Sequence, residues 1–355
     1  MADFFEIDFL DVETKSSGDA ICLRYELNGL TCIHVVDAGY QTTGEKLVAH
    51  IRKHYNNPTY IDHLVVTHND GDHTGGVEQV LKEFNIGAIW MLCPWNYAAE
   101  LLHRFKRYST VDGLTQALKD SFPNLAAMEK LAIKKDIPIC EPFQGADIGA
   151  FHVLAPTRAR FLDLVVASNK TPDEATAAFD AIQEAFLATQ VKAVMKAANW
   201  GDEYFPAGET STENEMSVVQ YATLCGKKIL LTGDTGRAGL QEVIDYAPSV
   251  GLIFPGIDHF QIPHHGGRHN VNTELLDQIL GPRLGNPHAS TTFTAIISSA
   301  KEDEDHPRKS VVRAMHHRGA KVITTEGRDV RTHRNAPDRG WVAVDGVSYP
   351  NEQED

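Results

Sequence analysis

The ten residues Thr67-His68-Asn69-Asp70-Gly71-Asp72-His73-Thr74-Gly75-Gly76 constrain this chain more than any other stretch. They follow the apolar run Leu64-Val65-Val66, so a strand delivers two imidazoles and two carboxylates to its carboxyl edge. Side chains of these types, held that close, repel one another or compete for protons unless cations sit between them. Gly71 and the Gly75-Gly76 pair permit the tight backbone that lets neighbouring side chains converge. The stretch reads as a metal site rather than a polar turn.

Around this loop the chain alternates strands and helices in two halves. Residues 4–12 alternate as a strand, and Gly18 to Tyr25 reads as its hairpin partner. Asn28-Gly29 marks a tight turn before a strand from Thr31 to Val36. A helix over 44–54, the strand Ile61–Val66, a helix from Gly76 to Phe84 and a strand Ala88–Cys93 complete the first half. From about 97 to 137 the pattern is helical, with Leu101, Leu102, Phe105, Leu114, Leu118 and Leu125 at core-like spacing. After a strand at Ala150–Leu154, an Ala-rich helix over 172–198 reads as a packing or oligomer-forming surface rather than a substrate lid.

The second half brings strands at Met216–Tyr221, Lys228–Thr232, Gln261–Pro263, Thr294–Ser298, Ala320–Thr325 and Trp341–Asp345. Helices fall near 236–247, 273–280 and 307–318, and Asn351–Asp355 reads as frayed. Strands with helices in both halves predict an α/β fold, an αββα sandwich of two mixed sheets face to face with helices outside. One domain over 1–355 is expected, with helical insertions at about 97–137 and 157–207.

Composition excludes several classes. No stretch approaches the roughly 20 apolar residues of a membrane helix, and the start Met1-Ala2-Asp3-Phe4-Phe5-Glu6 lacks the basic and apolar regions of a signal peptide. The scattered Cys22, Cys32, Cys93, Cys140 and Cys225 read as reduced buried thiols, so a cytoplasmic protein is expected. The net charge of −15 disfavours a long nucleic-acid duplex, which calls for a basic surface. Basic residues gather late, at Arg308, Lys309, Arg313, His316, His317, Arg318 and Lys321, either as a solvated helix face or as positive potential beside the metal site.

Three more places could complete a metal centre. Asp234 ends the apolar strand Leu230-Leu231-Thr232-Gly233, where a carboxylate suits a ligand bridging two cations or a helix cap. Pro263-His264-His265-Gly266-Gly267 sets two imidazoles side by side. On extended backbone they point apart, so one is expected to bind metal and the other to face substrate. Asp305-His306-Pro307 opens a helix, with His306 near its N-cap.

Together, Leu10-Asp11-Val12, Gly18-Asp19-Ala20-Ile21, Asp37-Ala38-Gly39, the Thr67–Gly76 loop, Leu231-Thr232-Gly233-Asp234 and Pro263-His264-His265-Gly266 resemble the metallo-β-lactamase superfamily. More narrowly the chain is similar to the branch holding the C-terminal hydrolase domain of bacterial competence DNA-channel proteins, whose Asn-x-x-Ser and late His-Pro match Asn214-Glu215-Met216-Ser217 and His306-Pro307. The resemblance implies hydrolase chemistry and a dinuclear site of two divalent ions, zinc or manganese. Asp70 stands where the superfamily usually has a second histidine, which makes that position harder. A third histidine, expected shortly before Met216, has no candidate. Ser211-Thr212-Glu213-Asn214 occupies its place, with Asn214 or a neighbouring Glu as the substitute.

On this ligand set, His68 and Asp70 hold one ion, Asp72, His73 and one of His264/His265 the other, and Asp234 both. The ions would lower the pKa of a shared water and polarise the electrophile. Asp72 would also orient or deprotonate that nucleophile, while the remaining histidine and His306 contact a phosphate oxygen or protonate the leaving group. Asp37 is placed to fix a ligand histidine's tautomer. The expectation is a phosphodiesterase or nuclease acting on nucleotides or short nucleic acid, with Asn214 and Arg308 contacting substrate. The competing classes are a lactonase, lactamase or thioesterase, and a catalytically weak regulatory partner. A second copy or partner protein would dock through the helical insertion, and no membrane is involved.

Overall fold

The computed structural model describes residues 3–12, 15–168, 170–171, 195–287 and 291–354. Its strands form two large sheets. The first holds β1 (Phe4–Phe9), β2 (Ala20–Leu27), β3 (Leu30–Ala38), β4 (Tyr60–Val65), β5 (Asn85–Trp90) and β6 (Ile139–Cys140) in that order. The second runs β7 (Asp147–Ile148), β8 (Phe151–Ala155), β10 (Val219–Leu224), β11 (Lys227–Leu231), β12 (His259–Gln261), β13 (Phe293–Ile297) and β14 (Ala320–Thr324). β15 (Val330–Arg334) returns to the first sheet beside β1, and β9 (Met195–Ala197) pairs with β16 (Glu352–Glu354). Helices cover the outer faces, which gives the αββα sandwich.

The apolar pattern explains the layering. Phe5, Ile7 and Phe9 of β1 point between the sheets, where they join Ile21, Leu23, Val36, Val65, Phe151, Val153, Ile229 and Ile296. Glu6 and Asp8, on the other face of β1, are equally buried, because Arg24, Arg331 and Arg339 neutralise them. Buried charges persist only when paired in this way. Outside the first sheet, Leu47 and Ile51 of the helix Gln41–His54 pack with Val80 and Leu81, and with Leu114, Leu118 and Leu125 of the 97–137 segment. Outside the second, Leu240, Val243, Leu276, Val311 and Met315 form the corresponding layer.

Both sheets run parallel where the functional loops leave them. β3, β4, β5 and β6 are parallel to one another, as are β11, β12, β13 and β14. Loops following β4, β11 and β12 therefore emerge at the carboxyl ends of parallel strands, the usual place for a site in such sheets.

Several expectations need correction. Trp341–Asp345 is not a strand; the strand in that region is β15, Val-Arg-Thr-His-Arg, an edge strand with too little apolar alternation to stand out. Among the described residues, 351–354 are not frayed either. Glu354 accepts hydrogen bonds from the backbone N–H groups of Lys309 and Ser310, placing a carboxylate on the first turn of the helix Lys309–His317. The expected helix over 172–198 lies outside the described residues up to 194, and Met195–Ala197 is β9 rather than helix. No helix among the described residues is long and apolar enough to cross a membrane.

Candidate metal centre

The Thr67–Gly76 loop is fixed by close backbone packing. After β4, Asp70 begins a single helical turn, Gly71–Thr74, and Gly76 N–H donates to Gly39 O. A Cβ on Gly76 would stand 2.2 Å from Ala38 O, and one on Gly18 would stand 2.6 Å from Asp72 O. Only glycine fits at either place. The loop thus sits pressed against the ends of β2 and β3, with Asp19 N–H donating to Asp72 O.

Each histidine is oriented through its Nδ1. His73 Nδ1 lies 2.8 Å from Asp37 Oδ2, and an ionised carboxylate can only accept, so Nδ1 carries the proton. Thr67 spends its hydroxyl proton on Asp37 Oδ2 at 2.6 Å, so its oxygen accepts from His68 Nδ1 at 3.0 Å. His265 Nδ1 donates to Ser298 O, 2.9 Å away. Asn270 gives its amide protons to Asp234 O and Thr235 O, which leaves Oδ1 to accept from His264 Nδ1 at 3.0 Å. All four rings therefore turn Nε2 toward one centre, the orientation a neutral imidazole needs to bind metal.

Asp234, at the end of β11, is the hub. Its Oδ2 lies 3.3 Å from His73 Nε2, 3.7 Å from His265 Nε2, 3.8 Å from His264 Nε2 and 3.9 Å from His68 Nε2. Asp72 Oδ2 lies 3.4 Å from His265 Nε2 and 3.7 Å from His73 Nε2. Donor atoms of Asp72, His73, Asp234 and His265 all lie within 4.8 Å of one another. Nε2 of His68, His73 and His265, and Oδ1 of Asp234, are buried without a hydrogen-bond partner among the described residues. Orphaned donor atoms are rare in folded proteins. Those of His73, His265 and Asp234 lie with Asp72 in one group that could hold a divalent ion, so the residues fit a metal.

The electrostatics agree. Burial alone would lower the pKa of His73, yet Asp234, Asp72 and Asp37 outweigh it and raise the value well above the usual one. Burial likewise opposes, and Asp234, Asp72 and Asp19 overcome, at His265, which rises to about 9. Asp234 is held well below the carboxylate range against burial by His73, His265 and His264. Protons on two imidazoles thus balance charge that a cation would otherwise balance. His264 differs: burial dominates and brings it down to about 4.

The extended backbone expected at Pro263–Gly267 is not found. His264 and His265 both have positive φ, 48° and 55°, and their ring centroids lie 5.6 Å apart. The turn lets both Nε2 atoms approach Asp234; His265 joins the four-donor group, while His264 stands at the half-exposed mouth beside His306, with 5.3 Å between centroids. His306 Nδ1 lies 3.2 Å from Asp303 Oδ2. His68 and Asp70 form an adjoining pair, with 3.7 Å between Nε2 and Oδ2.

Other expected residues serve elsewhere. Asn214 donates to Thr210 Oγ1, Glu213 accepts from Ser168 Oγ, and Glu215 accepts from the N–H groups of Ala238 and Gly239, so that turn is committed to structure. Much of the late basic cluster is committed to contacts within the fold. Arg313 is fully buried and donates to the carbonyls of Asn199, Asp202 and Pro350. Arg318 and His317 hold Glu203, and Lys309 pairs with Glu352. Arg308 keeps near the site: its N–H donates to Gly266 O and its guanidinium meets Asp305.

Two contributors had escaped assignment. Asp19, fully buried, accepts from Gln261 Nε2 at 2.9 Å and stands 3.9 Å from His73 Nδ1; its place in Gly18-Asp19 was a usable signal. Lys170, whose Nζ reaches Asp70 Oδ1 at 2.5 Å, gives no local signal at all. A second close group, Asp8, Cys22 and His50, is already occupied, because Arg339 and the Tyr55 hydroxyl hold the Asp8 carboxylate.

The αββα sandwich thus carries a group of side chains that could hold a metal ion. Residues 28–106 match the family model of the Metallo-beta-lactamase superfamily. It is 24% identical over 269 residues to ComE operon protein 3 of Bacillus subtilis (strain 168). The match covers 75% of this chain and 24% of that protein, so the chain spans about a quarter of the relative's length. Similar solved structures include CmlA, a diiron beta-hydroxylase from Streptomyces venezuelae, at 12% identity and a TM-score of 0.33, covering 91% of this chain and 44% of that one. A diphosphatase from the PhnP family aligns at 7% identity and a TM-score of 0.36, covering 93% and 98% of the respective chains.

Proposed function

We propose that this protein is a phosphodiesterase acting on nucleotides or short nucleic acid, with zinc or manganese as its metal. The observation that carries the reading is the set of buried, unpartnered donor atoms of His73, His265 and Asp234, grouped with Asp72. Asp72, His73, Asp234 and His265 would hold one ion, and His68 with Asp70 forms the adjoining position. When bound, a divalent ion supplies Lewis acidity toward the scissile group and lowers the pKa of water. An imidazole–carboxylate donor set without thiolate suits zinc or manganese.

The chain's own residues supply the rest. Asp72, one-quarter exposed, borders the centre and can orient the attacking water. His264, its pKa near 4, is neutral at physiological pH and can accept a hydrogen bond or proton through Nε2. The Asp303–His306 pair beside it can hand a proton to the departing oxygen. Lys170, His306 and Arg308 offer donors for the non-bridging phosphate oxygens. With Arg313 and Arg318 buried and a net charge of −15, the substrate presents few phosphates to the protein. The similarity to ComE operon protein 3 fits the resemblance to the competence branch.

Manganese-loaded protein should cleave bis-p-nitrophenyl phosphate, and Asp234→Ala should lose at least about a hundredfold. Preferred turnover of a thioester or lactone would transfer the protein to the carbon-ester class. If several metals and substrates give no more turnover than the variant, the protein is a non-catalytic partner.

A further inference from the structure

We propose that Lys170 is the resident second cation of the centre, so that the protein holds one metal ion tightly rather than two. This rests on the metallo-hydrolase reading above. The four donors that converge are Asp72, His73, Asp234 and His265; His68 and Asp70 fall outside that group. They face one another at 3.7 Å, with Asp234 at 3.9 Å from His68. The other oxygen of Asp70 is already taken by the Lys170 ammonium at 2.5 Å. A positive charge therefore sits on the ligand that a second ion would need.

The position of Lys170 is built rather than incidental. It follows the helix Arg158–Ala167 in a turn that closes with Thr171 N–H donating to Ser168 O and Thr171 Oγ1 to Val165 O. Lys170 N–H donates to Ser168 Oγ, and Ser168 Oγ in turn donates to Glu213 Oε1. Glu213 belongs to the Ser211–Asn214 turn, the place where a further histidine is expected and absent. In this chain that turn anchors the lysine and contributes no imidazole.

An ammonium at this point neutralises Asp70 and offers N–H donors to an anionic substrate oxygen beside the metal. Its repulsion weakens a second divalent ion at the His68–Asp70 pair. Lys170 is thus a substrate-contacting residue as well as a counter-charge.

Metal content after dialysis, together with a chelator-competition titration, tests this directly. Wild type and Lys170→Arg should retain one ion per chain, with any second ion weak. Lys170→Met, at a side chain 39% exposed and so tolerant of change, should bind its second ion at least about tenfold more tightly. Thermal melts of both variants establish that they fold. Two ions held equally tightly by wild type, or a second site that does not respond to Lys170→Met, would overturn the proposal and leave the hydrolase reading intact. A wild type that binds no ion at all sinks both.

Discussion

Adding one equivalent of zinc or manganese to metal-free protein at about pH 7.5 should expel about two protons, because ligand imidazoles must be neutral to bind. The count comes from the centre itself. His265, raised to about 9, is roughly 97% protonated at that pH. His73, raised well above the usual imidazole value by Asp234, Asp72 and Asp37, supplies the second proton. Asp72 and Asp234 are both lowered and have no proton to give. Displacing the His265 proton alone costs about 2 kcal/mol at this pH, so metal affinity should climb as pH rises toward about 9. The sign for folding is opposite. A raised folded-state pKa adds stability that is present below the unfolded value of about 6.5 and lost as pH rises through about 9. Metal-free protein should weaken over that window while its metal affinity grows. Isothermal titration in buffers of different protonation enthalpy gives the proton number from the slope of observed heat against buffer enthalpy. A slope near zero would mean that the imidazoles are already neutral and that the carboxylate cluster does not hold protons in place of a cation.

Two other perturbations probe the surroundings. Glu203, its side chain fully buried against His317 and Arg318, is lowered to about 2 because those hydrogen bonds outweigh burial. Glu203→Gln should cost about 3–5 kcal/mol in denaturant unfolding, as expected when one partner of a buried pair is removed. The stability that Glu203 contributes is present above about 4.5 and lost as pH falls through about 2, so the variant should show a shallower acid limb; an unchanged limb would refute the pairing. With Arg313 and Arg318 committed to the interior, short oligonucleotides should bind with a shallow salt slope, about two released counterions at roughly 0.7 per phosphate. A slope that steepens with oligonucleotide length would show a phosphate track that the structure does not display.

What lies close in sequence was legible, because covalent neighbours share one backbone geometry. The run Leu64-Val65-Val66 followed by His68, Asp70, Asp72 and His73 already stated a strand, a tight turn and convergent donors. Strongly apolar strands such as Lys227–Leu231 and Phe293–Ile297 declared themselves, and with them the alternation that yields two packed sheets. Asp234 and the His264-His265 pair stood out as polar ligand types at strand ends.

Relations across distance were decided by the tertiary structure. The periodicity of Lys309–His317 cannot say whether its cationic side meets water or acid; Glu203, about a hundred residues earlier, makes it interior. β15 reads as a loop until β1 supplies its hydrogen-bond partners. Positive φ at His264 and His265 brings both rings to Asp234, where extended backbone would have separated them. Lys170 reaches Asp70 from a hundred residues away through Ser168 and Glu213. The sequence by itself determined which donors exist and that strands carry them; topology determined which donors meet, because Coulomb attraction and desolvation depend on separations of a few ångströms that only the folded sheets set.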